Sequence, residues 1–125
     1  MEKLQLIAQQ LVSAGKGILA ADESTPTCTT RFNGVGIESN ITNRNEYRSM
    51  LFSTHELEQY ISGVILFDET FHQNQQGELN TTIPQYLNKK NILVGIKLDT
   101  GAKALANHNC EKITEGLDGL RERVI

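Results

Sequence analysis

Gly15-Lys16-Gly17-Ile18-Leu19-Ala20-Ala21-Asp22-Glu23-Ser24-Thr25-Pro26 is a short apolar run that stops abruptly at two acids and a cluster of hydroxyls. It reads as a buried strand meeting a polar loop. The pattern returns at Gly63-Val64-Ile65-Leu66-Phe67, stopped by Asp68-Glu69-Thr70, and at Ile92-Leu93-Val94-Gly95-Ile96-Lys97-Leu98, which ends at Asp99 and Gly101. Four to eight apolar residues bounded by turn formers are the mark of a strand buried in a parallel sheet.

The segments between these runs have helical spacing. Leu4, Ile7, Ala8, Leu11 and Val12 form an amphipathic stripe, with Gly15 where a helix would end. Tyr47, Met50 and Leu51 suggest a second helix, with Asn43 and Glu46 spaced as a capping box. Ser53 and Glu56 repeat that spacing ahead of Leu57, Tyr60 and Ile61. Thr82 and Gln85 repeat it again, with Pro84 in the first turn and Ile83, Tyr86 and Leu87 on the buried side. Leu117, Leu120 and Val124 begin a last helix. Gly34 and Gly36 are expected to bend a loop.

Strands alternating with helices of about ten residues or more give βαβ units and a parallel sheet. Continuous apolar strands fit a sheet covered on both faces. Three parallel strands leave two unpaired edges, so the chain reads as part of a larger sheet.

With 125 residues the chain is expected to hold one domain. A formal net charge of −3 argues against nucleic acid as a partner, since phosphate backbones attract basic surfaces. A small phosphorylated ligand needs only two or three local donors. No eighteen-residue apolar run and no apolar leader are present, so a cytoplasmic location with no membrane partner is expected. Cys28 and Cys110 are far apart and read as reduced thiols. His55, His72 and His108 lack metal-ligand spacing, so no metal and no cofactor are expected.

The chemistry gathers where each strand turns polar: Asp22, then Asp68 and Glu69, then Lys97 and Asp99. In parallel α/β folds the loops at the carboxyl ends of the strands build the site. Alternation puts Ile18, Ala20 and Asp22 on one face of the first strand, and Leu93, Gly95, Lys97 and Asp99 on one face of the third. A carboxylate and an ammonium then point over small residues into one cavity. That pair suits carbonyl chemistry on a phosphorylated substrate, the lysine neutralising phosphate and the carboxylate handling protons. The competing reading is an ion pair at the mouth of the sheet. Arg121 and Arg123 beside Glu122 look like the solvated face of the last helix, and the hydroxyls from Ser24 to Thr30 like turn and capping groups.

The residues from Gly15 to Thr25 resemble the hallmark first strand and loop of class I fructose-bisphosphate aldolases. The resemblance continues in order through Asn43-Arg44 and Tyr47-Arg48, then Ile61-Ser62-Gly63-Val64-Ile65-Leu66-Phe67 with Glu69-Thr70. It ends with Gly95-Ile96-Lys97-Leu98-Asp99, Gly116-Leu117-Asp118-Gly119-Leu120 and Glu122-Arg123. It implies an α/β chain, residues 1–125, forming the N-terminal portion, about three βα units, of a single (β/α)8 TIM barrel. It also implies metal-free, reversible cleavage of fructose 1,6-bisphosphate into two triose phosphates through a lysine Schiff base. By the same resemblance Asp22 is the catalytic aspartate at the Schiff-base centre, and Ser24, Thr27, Arg31 and Lys97 help hold substrate phosphate. The whole enzyme is expected to be a homo-oligomer.

Departures from the family pattern fall at Pro26, where glycine is usual, and at Thr30 and Thr100, each in place of a lysine. The loop from Ala104 to Cys110 departs as well. A full barrel needs about 250 residues. The Schiff-base lysine and catalytic glutamate of the family have no counterpart here, so the chain alone is expected to be inactive. The alternative is a non-catalytic, aldolase-like remnant that binds sugar phosphate or aldolase subunits.

Overall fold

A computed structural model describes residues 2–124. In chain order the elements are α1 (Glu2–Leu11), β1 (Gly17–Ala21), α2 (Thr25–Asn33), α3 (Ile41–Phe52), α4 (Leu57–Tyr60) and β2 (Ile61–Leu66). They continue with α5 (Asp68–Phe71), α6 (Ile83–Lys89), β3 (Leu93–Ile96), β4 (Gly101–Ala104), β5 (Lys112–Glu115) and α7 (Leu120–Val124). The three expected strands β1, β2 and β3 pair side by side in that order, all parallel.

Register divides the sheet into two faces. Ala21, Leu66 and Ile96 align across it, as do Leu19, Val64 and Val94, and these rows face the helices. Ala21, Val64 and Leu66 are buried there with Phe52, Leu57, Ile83, Leu87 and Ile92 in one apolar cluster. The alternate row is Ala20, Ile65 and Gly95. Ala20 and Gly95 are exposed, and Ile18 on the same face is 47% exposed.

Cover on both faces was the expectation; among the described residues the helices supply it mainly on one. On the other, the end of α1 crosses near Gly63, where an added Cβ would lie 2.5 Å from Leu11 Cδ2. A register shift between Gly17 and Ile18 falls opposite Ser62. The Ser62 hydroxyl lies 2.6 Å from the Leu11 carbonyl and 3.1 Å from that of Gly17, giving a side-chain donor to carbonyls beside the break.

Local signals fared unevenly. Thr82 and Gln85 form the expected capping box in both directions. At α3 the cap is Asn40, whose side chain accepts from Asn43 N at 2.8 Å, and Asn43 with Glu46 is not the cap. Ser53 and Glu56 form no box: Glu56 sits at φ 58 with no side-chain cap, and Ile61 belongs to β2. On α3 the buried side is Asn45, Arg48, Ser49 and Phe52, and Met50 is 60% exposed. The stripe through Tyr47, Met50 and Leu51 is therefore displaced, because buried Arg48 is held by an ion pair that apolar periodicity does not register.

The polar loop read after β1 holds for Asp22, Glu23 and Ser24, but from Thr25 on the chain forms α2. Pro26 lies in its first turn, where a backbone N–H has no intrahelical acceptor, so the missing donor costs no bond. Past β3 the chain makes an antiparallel hairpin, β4 with β5, where a loop was expected. Leu117 is exposed ahead of α7; Val124's side chain lies outside the described residues.

Candidate functional site

Asp22 directly follows β1, Phe67 and Asp68 follow β2, and Lys97 follows β3, so three strands deliver their first polar side chains to one end of the sheet. The ladder persists to Lys97, whose N–H donates to the Leu66 carbonyl at 2.9 Å. Its ammonium donates to Asp99 Oδ2 at 2.6 Å and lies 3.5 Å from Asp22 Oδ2. The hydrogen bond and charge of Asp99, joined by Asp22, raise the Lys97 pKa above the ordinary lysine value despite partial burial. Lys97 in turn lowers that of Asp99. The Lys97 side chain keeps 24% of its surface.

A cavity of about 550 Å³ opens beside this pair, lined among others by Ser24, Phe67, Asp68, Lys97, Thr100 and Arg123. Ser24 and Lys97 thus share a cavity, and Asp22 reaches it through its pairing with Lys97. Thr27 sits one turn along α2 with its hydroxyl 3.2 Å from that of Ser24. Arg31 is turned away: it pairs with Glu23 on the protein surface and is not among the cavity's lining residues. Arg123, read from sequence as solvated together with Arg121, instead lines the cavity.

A second ionic cluster stands behind the first. Glu23 pairs with Arg31 and with Arg48, which is 2% exposed and also donates to the Glu23 carbonyl at 2.8 Å. Burial would push the Glu23 carboxyl up, but the Arg48 hydrogen bond and the two guanidinium charges bring it below the ordinary glutamate value. Arg44 makes a two-point contact with Glu69 at 2.8 and 2.6 Å. These two arginines of α3 fix the chain just past β1 and β2, and neither carboxylate partner was assigned from sequence. The signal available was the i, i+4 spacing of Arg44 and Arg48, which puts both on one face of a helix.

At the opposite end of the strands a smaller cavity, about 340 Å³, is lined by Ser13, Lys16, Ser62 and Asn91 among others. The Lys16 ammonium there already donates to the Glu58 carbonyl at 2.6 Å, and no carboxylate of the described residues lines it. At the carboxyl end, by contrast, an ammonium and two carboxylates meet beside the larger cavity.

The family model "Fructose-bisphosphate aldolase class-I" matches residues 3–125. The chain is 48% identical over 124 residues to a probable fructose-bisphosphate aldolase class 1 of Xanthomonas campestris, covering 99% of this chain and 36% of that protein. It is 50% identical over 123 residues to fructose-bisphosphate aldolase 2 of Caenorhabditis elegans, covering 98% and 33%. A solved structure of Plasmodium falciparum fructose-bisphosphate aldolase, in complex with TRAP and a small-molecule inhibitor, superposes with a TM-score of 0.91 at 48% identity. That match covers 98% of this chain and 35% of the other. The chain thus spans about a third of the length of the relatives it matches.

Proposed function

Since the chain belongs to the class I fructose-bisphosphate aldolase family, we propose that residues 1–125 form about the first three βα units of one (β/α)8 barrel domain. They supply part of a site that cleaves fructose 1,6-bisphosphate reversibly through a lysine Schiff base. The observation that carries this reading is the Lys97 ammonium, set between Asp99 and Asp22 beside a cavity at the carboxyl end of a parallel sheet.

Lys97 is suited to phosphate and unsuited to carbonyl attack. A Schiff-base lysine reacts as the free amine, and two carboxylates here favour the ammonium. Lys97 and Ser24 hold one substrate phosphate, with Thr27 at its margin and Arg31 swinging from Glu23 to join them. Asp22 orients the substrate and the attacking lysine, which lies on a strand outside these residues. Residues 1–125 alone are then not competent. A cytoplasmic, homo-oligomeric whole enzyme belongs to the same reading, and no helix among the described residues is long and apolar enough to cross a membrane.

The substituted positions favour a second reading, a remnant that binds sugar phosphate or aldolase subunits without turnover. Thr30 spends its hydroxyl on the Pro26 carbonyl at 3.1 Å and brings no charge to the cavity.

Borohydride trapping in the presence of dihydroxyacetone phosphate separates these readings. The intact protein should be labelled, at a lysine outside residues 1–125. Label on Lys97 would overturn the assignment, and binding of fructose 1,6-bisphosphate without any trapping would favour the remnant.

A further inference from the structure

The base of the β4–β5 hairpin is closed by contacts that converge on Asp99. Arg123 Nη2 donates to the Leu98 carbonyl at 2.7 Å and to the Gly116 carbonyl at 2.9 Å, joining the two sides of that base. Thr100 N donates across it to the Glu115 carbonyl at 2.9 Å. Gly116 has φ 153, and a Cβ there would lie 2.8 Å from both Asp99 Cα and Leu98 O. Both are backbone atoms with no side-chain freedom to yield, so only glycine allows this approach.

Asp99 has each carboxylate oxygen committed. Oδ1 accepts from Gly101 N at 3.0 Å and Oδ2 accepts from Lys97 Nζ at 2.6 Å. The Arg123 guanidinium holds its bridge although its Nε is buried with no acceptor among the described residues. A buried donor left unpaired is costly, so the two-carbonyl bridge, and not the best pairing of every nitrogen, sets the orientation of this side chain.

We propose that Arg123 is a positioning residue for Lys97: by tying Leu98 to Gly116 it fixes Asp99, and Asp99 fixes the ammonium at the cavity. The inference rests on the reading of Lys97 as a phosphate contact and adds the device that aims it. The charged groups around Lys97 are Asp99 on its own segment, Asp22 from the end of β1, and Asp68 of α5 and Arg123 of α7, which line the same cavity. Among the described residues Arg123 donates to carbonyls, those of Leu98 and Gly116, so its influence on Lys97 passes through Asp99.

The test is competitive labelling of lysines with acetic anhydride across a pH series, read peptide by peptide in the intact protein. In Arg123→Gln the Lys97 midpoint should fall and its labelling rate below that midpoint should rise about two- to threefold, as its carboxylate partner loosens. Lys16 and Lys90, paired far from the hairpin, should be unchanged, as should every lysine in Arg121→Gln. Asp99→Asn should reproduce the Lys97 change, and adding Arg123→Gln to it should produce no more. An unmoved Lys97 midpoint in a folded Arg123→Gln protein overturns the proposal.

If Arg123→Gln alters Lys16 and Lys90 too, the variant has unfolded, and the unaltered protein decides by its arginine reactivity towards 2,3-butanedione. Arg123 reacting several-fold more slowly than Arg121 supports the bridge; equal rates overturn it. The parent reading fails separately: an intact protein that neither binds nor cleaves fructose 1,6-bisphosphate refutes the function while leaving the Lys97 result intact.

Discussion

Two ionic clusters sit at the same end of the same sheet, built from the same chemistry, and they serve opposite ends. In the first, Glu23 meets Arg48 and Arg31; in the second, Lys97 meets Asp99 and Asp22. Arg48 lies on the buried side of α3, with Nη1 donating to the Glu23 carboxylate and Nη2 to the Glu23 carbonyl and, at 3.5 Å, to the Cys28 sulfur. Lys97 keeps a quarter of its side-chain surface and faces a cavity. What separates the buried cluster from the proposed site is therefore not the residue types but whether the charged side chain keeps surface open to solvent. A buried, saturated pair defines where the backbone goes; a half-open pair can exchange one partner for a ligand.

The largest expected effect tests the buried cluster. Arg48→Met removes the partner of a shielded carboxylate and should destabilise the fold by about 3–5 kcal/mol. Urea denaturation measures it, and a loss under about 1 kcal/mol would break the contrast. Lys97→Met should do the reverse. Denaturation should barely move, while KM of the intact protein for fructose 1,6-bisphosphate rises about 10- to 100-fold from loss of a charged hydrogen bond. A KM unchanged by this substitution would remove Lys97 from the site.

The pH dependence should follow Glu23 in the same direction. Its carboxyl is depressed in the folded state, so its contribution is present above the unfolded value near 4.5 and is lost as pH falls through the lower folded value. Denaturation midpoints recorded from pH 6 downward should fall less steeply in Glu23→Gln. Asp99 is depressed too, but its side chain is more open to solvent than that of Glu23, so Asp99→Asn should change that slope less. The smallest effect belongs to Arg31→Ala. Its guanidinium is exposed although it shares the buried cluster's carboxylate, and the denaturation midpoint should stay within error. A clear loss there would show that the cluster acts as one unit and not through Arg48.

The sheet was legible because its signals are local. The apolar runs Gly17–Ala21, Gly63–Phe67 and Ile92–Leu98 end abruptly in polar residues, and the strands Gly17–Ala21, Ile61–Leu66 and Leu93–Ile96 fall on them with ends shifted by up to two residues. Alternation placed Asp22 and Lys97 on one face, and they meet at 3.5 Å. The capping box at Thr82 is equally local and formed as written. Reading failed where partners are distant in sequence. Arg48 is 25 residues from Glu23, so the buried side of α3 includes a charge that an apolar stripe passes over. The hairpin between β3 and α7 rests on short strands with exposed, mixed residues, which give no clear period.

The sequence by itself determined the strands, their order of chemistry and the family, since apolar runs, capping residues and ordered motifs need no knowledge of what lies opposite. Only the tertiary structure decided which ion pairs are buried, that Arg31 faces Glu23, that helical cover lies mainly on one sheet face among the described residues, and that Arg123 reaches back to Leu98. The physical reason is that burial and ion pairing depend on what the folded chain brings across the gap, and a residue's neighbours in sequence do not specify that.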